Sequence, residues 1–524
     1  MKFIPGQSRQ QTQLFPSSLE ESIGTDNEVR VIDLFVSSLS LKDYGFGMEY
    51  IENGRPAYHP ADLLKLFIYG YLNKIRSSRD LEKECKRNIE VMWLLKCLQP
   101  DHNTISNFRR DNPAAIKKVF RATVQIAKHF DLIGGKLIAG DSTKLRAQNS
   151  KKNNYNQPKI DRHLAYIENK LQEYNTALAK QDEDNQKQIQ QEIEKHEQRK
   201  QHYKEIEKQI KDTGEAQVST SDTESRQMII RNNITEVAYN VQTTVDAKHC
   251  LPIDYKVTNN NDSKAMGTML QRATSILGSN EFTALYDKGY HTGSELKIAQ
   301  ELGIETIVAI PDISSSSMAP NPAYNVSEFI YDSTQDCYTC PQGQILTTNK
   351  NWYKKINRNK STLVQHYKTK ACKQCLMINQ CTKNTRGRGR VIERTEYAPY
   401  IEQNRRNIEK NKDLYKRRQA IVEHPYGTIK RQWGYSYILT KQGKERASSD
   451  VGFMFIAYNL RRIMNILGQD VFKKYLRILV FKFLQIFGVV KFRLLKYQIG
   501  IFFRKYSWTN YSPSLNRFIF DGNL

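Results

Sequence analysis

The sequence predicts an α+β chain of several domains, a helical front followed by an α/β body that carries two inserts, one helical and one cysteine-rich. Three observations predict it. Apolar residues recur at helical spacing through the first 130 or so residues. The segment "EFTALYDKGYHTGSELKIAQELGIETIVAIP" (281–311) reads strand, glycine-containing turn, helix, strand, a βαβ unit. Four cysteines stand as two CxxC pairs, Cys337/Cys340 and Cys372/Cys375. With 524 residues, 39% hydrophobic and 26% charged, the chain is long enough to bury more than one core.

The front, 1–130, is expected to be mostly helical. "HPADLLKLFIYGYLNKIRSS" (59–78) has a proline near its start and a dense apolar face, and "SRDLEKECKRN" (78–88), "IEVMWLLKCL" (89–98) and "TISNFRRDN" (104–112) follow as short helices. Short helices ending in Asn107, Arg109 and Arg110 suit either a helix-turn-helix-like DNA reader or a bundle with a basic face.

The body is expected to span 131–470. "GGKLIAGDSTKLRAQ" (134–148) reads as a buried strand with Asp141 at its C-terminal end. Within an insert at 151–217, Ile160, Leu164, Ile167, Leu171, Tyr174 and Leu178 form a heptad seam that slips after "KQDEDNQK" (180–187) and resumes at Ile189, Ile193, Tyr203, Ile206 and Ile210. That slip predicts two helices folded back as a hairpin, with a role in dimerisation or structure. "EVAYNVQTTVDAKHCLPIDYKVTNN" (236–260) predicts two strands about a turn near 247–249. Residues 447–467 predict an amphipathic helix. The tail, 471–524, begins with apolar runs broken by eight Lys/Arg and no acid up to residue 504, a pattern for basic amphipathic helices on the protein or on a membrane surface.

The formal net charge of +25 predicts a polyanionic partner, nucleic acid or an anionic membrane. "MKFIPGQSRQQTQLFP" lacks the apolar centre of a secretory leader, and no stretch approaches the roughly 20 apolar residues of a membrane span. A cytoplasmic chain without a stable span is expected. Eight cysteines in so long a chain argue against a disulfide scaffold.

Two sites carry chemistry. Asp141 and Asp287 each close a predicted strand, where a lone Asp is ordinarily a turn or cap residue. As a pair in a strongly basic chain they suit hard Mg²⁺ and phosphoryl transfer, which calls for a third acid. Glu423 is the candidate, since it lies in a stretch from Arg405 to Arg431 that holds nine Lys/Arg. The second site is the CxxC…CxxC set with Cys381 six residues on, which predicts a structural zinc held by four of Cys337, Cys340, Cys372, Cys375 and Cys381. Cys85, Cys97 and Cys250 are isolated and expected in the core. "TRGRGR" (385–390) suits phosphate contacts.

The chain resembles bacterial insertion-sequence transposases of the DDE class. Residues 54–94 look like that family's helical N-terminal domain, "IAGDSTKLRA" (138–147) like its first Asp motif, and "DTESR" (222–226) and "AYNVQTTVD" (238–246) like its next landmarks. "YDKGYHTG" (286–293) looks like the second Asp motif and "RRQAIVEHPYGTIKRQWG" (417–434) like the Glu motif. A Cys-rich insert before the Glu, here 325–400, is typical of one branch. The resemblance implies a ribonuclease-H-like catalytic domain, and Asp141, Asp287 and Glu423 holding two Mg²⁺ (or Mn²⁺) ions for cleavage and strand transfer. It implies DNA contacts by Lys430 and by Arg417 or Arg418, with one residue too many between Arg418 and Glu423. Arg431, Arg226, Tyr239, Asn240 and Gln242 are further candidates for the DNA path. Partners implied are double-stranded DNA, as the element's terminal inverted repeats and its target, and a homodimer or larger assembly on DNA in the bacterial nucleoid. Rival readings are a hydrolytic DDE nuclease and an inactive transposase-derived DNA-binding protein. Pro425 follows His424 directly, which disfavours helical geometry there and leaves open whether Glu423 lies in a helix or just ahead of one.

Overall fold

The structure is a computed structural model that describes residues 18–48, 56–178, 183–231, 234–312, 318–357, 360–384 and 389–481. It divides into two compact units. Among the described residues, one holds those up to Ile105 together with 463–481; the other holds those from Ser106 to Arg462. The division thus falls before the residue-130 boundary read from sequence. Most of "TRGRGR" (385–388) and the tail from 482 lie outside the described residues.

The first unit is built on α1 (Glu28–Ser37), α2 (Leu41–Tyr44), α3 (Pro60–Leu72), α4 (Ser78–Arg87) and α5 (Ile89–Leu94). Each longer helix starts on a side-chain cap: Asn27 on the Val29 amide, His59 on Ala61 with Pro60 following, Ser77 on Asp80 and Asn88 on Glu90. Residues Leu63–Leu72 of α3 are all buried, so it is the central helix rather than a surface one. Asn88 also donates to Glu84 Oε2 and Tyr69 Oη, joining α3, α4 and α5. Cys85 is buried there as expected, but Cys97 is exposed and Cys250 only half-buried. Cys97 follows the last turn with φ of 62°, a left-handed position outside the packed face.

The second unit opens within α6 (His102–Asp111), continues with α7 (Pro113–His129) and centres on a mixed six-stranded sheet. Its strands are β1 (Leu137–Arg146), β4 (Arg226–Arg231), β5 (Ile234–Asp246), β6 (Leu251–Thr258), β7 (Thr283–Tyr286) and β8 (Glu305–Val308). The order is β4-β5-β1-β7-β8, with β6 also on β5. β1 is antiparallel to β5 along its whole length and parallel to β7, which is parallel to β8. α10 (Met266–Leu277) and α11 (Gly293–Glu301) make the crossovers. Between β1 and β4, a short pair, β2 (Asn154–Tyr155) and β3 (Val218–Ser219), roots the hairpin of α8 (Gln157–Leu178) and α9 (Glu183–Thr213). Ile160, Ile167, Tyr203, Ile206 and Ile210 form its own core, the seam read from sequence.

A second, antiparallel sheet follows, of β9 (Ile330–Asp332), β10 (Cys337–Thr339), β11 (Ile345–Thr348), β12 (Tyr353–Asn357), β13 (Lys360–Lys368) and β14 (Ile392–Thr395), with α12 (Ile378–Cys381) beside it. Its small core holds Tyr324, Phe329, Tyr338, Leu346, Tyr367 and Ile392. The chain then returns to the first sheet through α13 (Ala398–Lys410), α14 (Lys412–Tyr426) and α15 (Lys444–Leu467). In α13 the buried Asn404 accepts from the Val308 amide at 2.9 Å and donates to the Val308 carbonyl at 2.8 Å, closing the free edge of β8 with one side chain. α15 differs from the amphipathic expectation: 451–460 are all buried. Phe455 packs on both Phe120 of α7 and Tyr255 of β6, and Asn459 donates to Thr123 and to the Pro252 carbonyl, so the helix is enclosed from two sides. Among the described residues no helix is long and apolar enough to cross a membrane.

Candidate active site

Asp141 sits mid-strand in β1, not at its C-terminal end. The reason is that β5 pairs with β1 as far as Arg146, whereas the parallel pairing with β7 stops at Ala139↔Leu285. One step of two residues beyond that last pair lie Asp141 and Asp287. Strand side chains alternate with period two, so both acids point to the face of Ala139 and Leu285. That face is covered by Ile421 and Val422 of α14.

Packing on the opposite face fixes how closely β1 and β7 approach. The ring of Tyr286 crosses Gly140, and a Cβ at residue 140 would stand 2.0 Å from it. Asp287 caps the turn 288–290, accepting from the Gly289 amide at 2.9 Å.

α14 lays Tyr415, Arg418 and Tyr426 along the same face. Tyr415 donates to the Tyr286 carbonyl at 3.2 Å, Arg418 Nη1 lies 3.5 Å from Asp141 Oδ2, and Tyr426 reaches the Asp141 carbonyl at 3.3 Å and the Thr243 hydroxyl. The helix continues through Pro425, so Glu423 lies inside it, the alternative left open by sequence, and passes directly into a π-helical turn, Gly427–Gln432. Proline removes one intrahelical donor, and a wide turn re-satisfies the chain beyond it. That turn carries Lys430 to Thr143, two residues past Asp141, where Nζ donates to Oγ1 at 2.9 Å. Burial, with Lys144 and Arg431 nearby, lowers the Lys430 ammonium below its ordinary value.

Burial pushes the Asp141 carboxyl up to about 6. Arg418 and the Ser142 amide oppose that rise, and Asp287 and Asp262 add to it. Asp262 is a residue the sequence reading missed. It accepts from Asn240 Nδ2 at 2.8 Å, Gln242 Nε2 at 2.7 Å and Lys144 Nζ at 3.2 Å, and Gln242 accepts from the Tyr290 hydroxyl. Burial works to raise Asp262, but Lys144 and the donors of Asn240, Ser142 and Gln242 outweigh it and hold the carboxyl below 3.8. The Cβ that Gly289 lacks would stand 3.1 Å from Asp287 Oδ1 and 3.7 Å from Asp262 Oδ2, so those oxygens are no further apart than the two lengths combined. Ser142 and Lys144 point to the sheet face opposite Asp141, so Asp262 supports the site from below. Its one sequence signal was the polar run "NNNDSK" (259–264) after a strand.

The other expected residues fall into three groups. Glu423 lies inside α14 but is exposed, and its carboxylate accepts from Gln419 at 2.9 Å. Arg417 and Arg431 are exposed, whereas Arg418 faces Asp141. Asn240 and Gln242 are buried beside the site as partners of Asp262. Tyr239 and Arg226 are buried in structural roles: Tyr239 donates to Asp222, and Arg226 donates to the Thr223 and Ser225 carbonyls and pairs with Glu215. Arg109 is likewise buried, 3.9 Å from Asp450. Arg110 forks onto Asp111, and Asn107 is exposed. Among the described residues no three His, Cys, Asp or Glu side chains stand at coordinating distance from one point.

Two family models match the chain. Residues 17–111 match the family described as Transposase domain (DUF772), and residues 339–464 match the one described as Transposase DDE domain. The chain is a transposase of the DDE class. As such it is an enzyme that cleaves DNA and transfers its strands. The first match covers α1 to α6; the second contains Arg418, Glu423 and Lys430, while Asp141 and Asp287 lie ahead of it. No curated protein matches the chain. The structure of a piggyBac transposase synaptic complex with hairpin DNA aligns over 90% of this chain and 82% of that one, at 9% identity and a TM-score of 0.25. An alignment at that score carries no argument about this transposase.

Proposed function

We propose that this transposase binds the terminal inverted repeats of an insertion sequence and cleaves and joins their strands at the Asp141–Asp287 face, with Glu423 as the third acid. One observation carries the reading: the Ala139↔Leu285 register sets Asp141 and Asp287 side by side on the face that α14 covers. The order β6-β5-β1-β7-β8, with the last two strands parallel to β1, supports a ribonuclease-H-like domain.

The donor set fits hard divalent cations such as Mg²⁺ or Mn²⁺: carboxylate oxygens are their preferred ligands, and Asp141, whose ionised form burial disfavours, gains from a cation. Asp141, Asp287 and Glu423 would hold two such ions, which when bound supply Lewis-acid polarisation of the phosphorus centre. Arg418 holds the Asp141 carboxylate on its open side. Tyr415 and Tyr426 fix α14 to the strands, so that the helix bearing Glu423 keeps its register over the two aspartates. Glu423 shares the sheet side with them and reaches inward by releasing Gln419. Asp262, on the opposite side, positions rather than coordinates: it ties Lys144 and Gln242, and through Tyr290 the turn that carries Asp287. Exposed Arg417 and Arg431 take phosphates of the duplex. A homodimer or larger assembly on DNA and a structural zinc in the cysteine-bearing module complete the reading.

The test is nicking and joining of an end-containing duplex with Mg²⁺. Asp287→Asn and Glu423→Gln should each abolish both steps with duplex binding retained. Asp262→Asn should lower the rate but keep the parent's metal-concentration dependence. Full activity of Glu423→Gln, with Asp262→Asn dead, would transfer the third-acid role to Asp262. Nicking without joining would favour a hydrolytic nuclease.

A further inference from the structure

The cysteine-bearing sheet does not treat its five thiols alike. Cys337 and Cys340 form a CxxC pair in sequence, but the stretch Cys337–Thr339 is extended strand. Residues three apart on a strand point to opposite faces, so their sulfurs diverge. Cys337 is buried, opposite Thr347 and Asp332, and its Sγ faces Gln335 Oε1 at 3.9 Å. Cys340 lies just past the strand, in a hairpin turn closed by Gly343 N to Cys340 O at 2.8 Å and Cys340 N to Gln344 O at 2.9 Å. The Gln344 amide points at Cys340 Sγ from 3.3 Å. The second pair is different again. Cys372 and Cys375 lie on and just after the 3-10 turn Lys370–Gln374, a geometry in which residues three apart stand on one side.

Cys340, Cys372, Cys375 and Cys381 line one cavity of about 30 Å³, and Cys337 does not. Cys381 closes it from the end of α12, with Arg390 on the wall donating to the Cys381 carbonyl at 3.2 Å. Gly389, with φ of +71°, crosses so close over Cys372 that a Cβ there would meet its Cβ at 2.5 Å. We infer that this module binds one zinc ion through Cys340, Cys372, Cys375 and Cys381, and that Cys337 is a core residue. The inference rests on the zinc reading given above and specifies its ligands. Binding releases the four thiol protons to solvent and leaves four Zn–S bonds with a site charge of −2, beside the Arg390 guanidinium. The four thiols line the cavity without meeting at coordinating distance of its centre, so ligation draws them inward by rotation of short side chains. With four sulfurs and no open position the ion is structural. A module whose buried core is a handful of side chains needs such a staple.

The test uses the full chain in the Asp141→Asn background, so that zinc at the carboxylates is not counted. Elemental analysis should give one zinc per chain, Cys337→Ser should keep it, and Cys340→Ser, Cys372→Ser, Cys375→Ser and Cys381→Ser should each lose it. If those variants fail to fold, cobalt exchanged into the Cys337→Ser protein should show the intense charge-transfer and visible bands of a tetrathiolate site. Zinc lost from Cys337→Ser and kept in Cys381→Ser overturns the ligand set while leaving a zinc in the module. A metal-free protein whose four thiols pair as disulfides on purification overturns both.

Discussion

Replacing Asp141 by Asn should stabilise the catalytic unit while abolishing cleavage. The carboxyl is held at about 6 against an ordinary 3.8, so keeping it ionised in the folded chain costs about 3 kcal/mol once the pH exceeds both values. The side chain retains 24% exposure, and Asn gives up the attraction of Arg418, so a net gain of about 1–2 kcal/mol is expected. Asn keeps the acceptor that Asp141 Oδ1 offers the Ser142 amide at 2.7 Å. The sign follows from proton binding. Between pH 3.8 and about 6 the folded chain binds the proton more tightly than the unfolded one, so the cost grows as pH rises through that window and is complete above it. Urea unfolding of the metal-free proteins should therefore show the variant ahead at pH 8 and the two converging toward pH 4. Mg²⁺ should then stabilise the parent alone and narrow the gap at pH 8. A variant no more stable than the parent at pH 8, or a gap independent of pH, would refute the claim that burial strains this carboxylate.

Two further predictions separate neighbours that composition cannot tell apart. Arg418→Gln should lower strand cleavage by 10-fold or more with little change in the salt dependence of DNA binding, and Arg417→Gln should weaken binding mainly by reducing its salt slope; kinetics and binding titrations at two salt concentrations decide it. Asn404→Ala should cost about 2–4 kcal/mol of unfolding free energy, because it leaves both polar groups of Val308 buried and unpaired; urea titration checks it, and a loss below about 1 kcal/mol would show that the edge of β8 is hydrated.

Much of this organisation is legible in the sequence because it rests on local periodicity. The heptad seam of α8 and α9, the βαβ unit ending in β8 and the short capped helices of the first unit all follow from spacing that short-range physics enforces. Asp141 and Asp287 were visible as acids at strand ends, although β5 carries β1 five residues past Asp141. What escaped depends on partners remote in sequence. Tyr239 and Arg226 read as candidates for the DNA path in a basic chain, yet Asp222 and Glu215 draw them inward. Asp262 has no periodicity to mark it, since its role is created by Asn240, Gln242 and Lys144 meeting it from two strands. Pro425 argued against helix on local grounds, and the packing of Ile421 and Val422 with the π turn beyond outweighed it.

Gly140 has a consequence that reaches past packing. Tyr286 lies where a side chain at that position would be, so the distance between β1 and β7 is set by a group the chain does not possess. Two charged residues 146 positions apart are thereby gauged by a neutral one that touches neither substrate nor ion. A single methyl added at residue 140 would act as a wedge, driving the strands apart and parting the acids they carry. Inactive copies of such an element can therefore arise with every acidic residue intact, and an inventory of carboxylates alone would count them as functional.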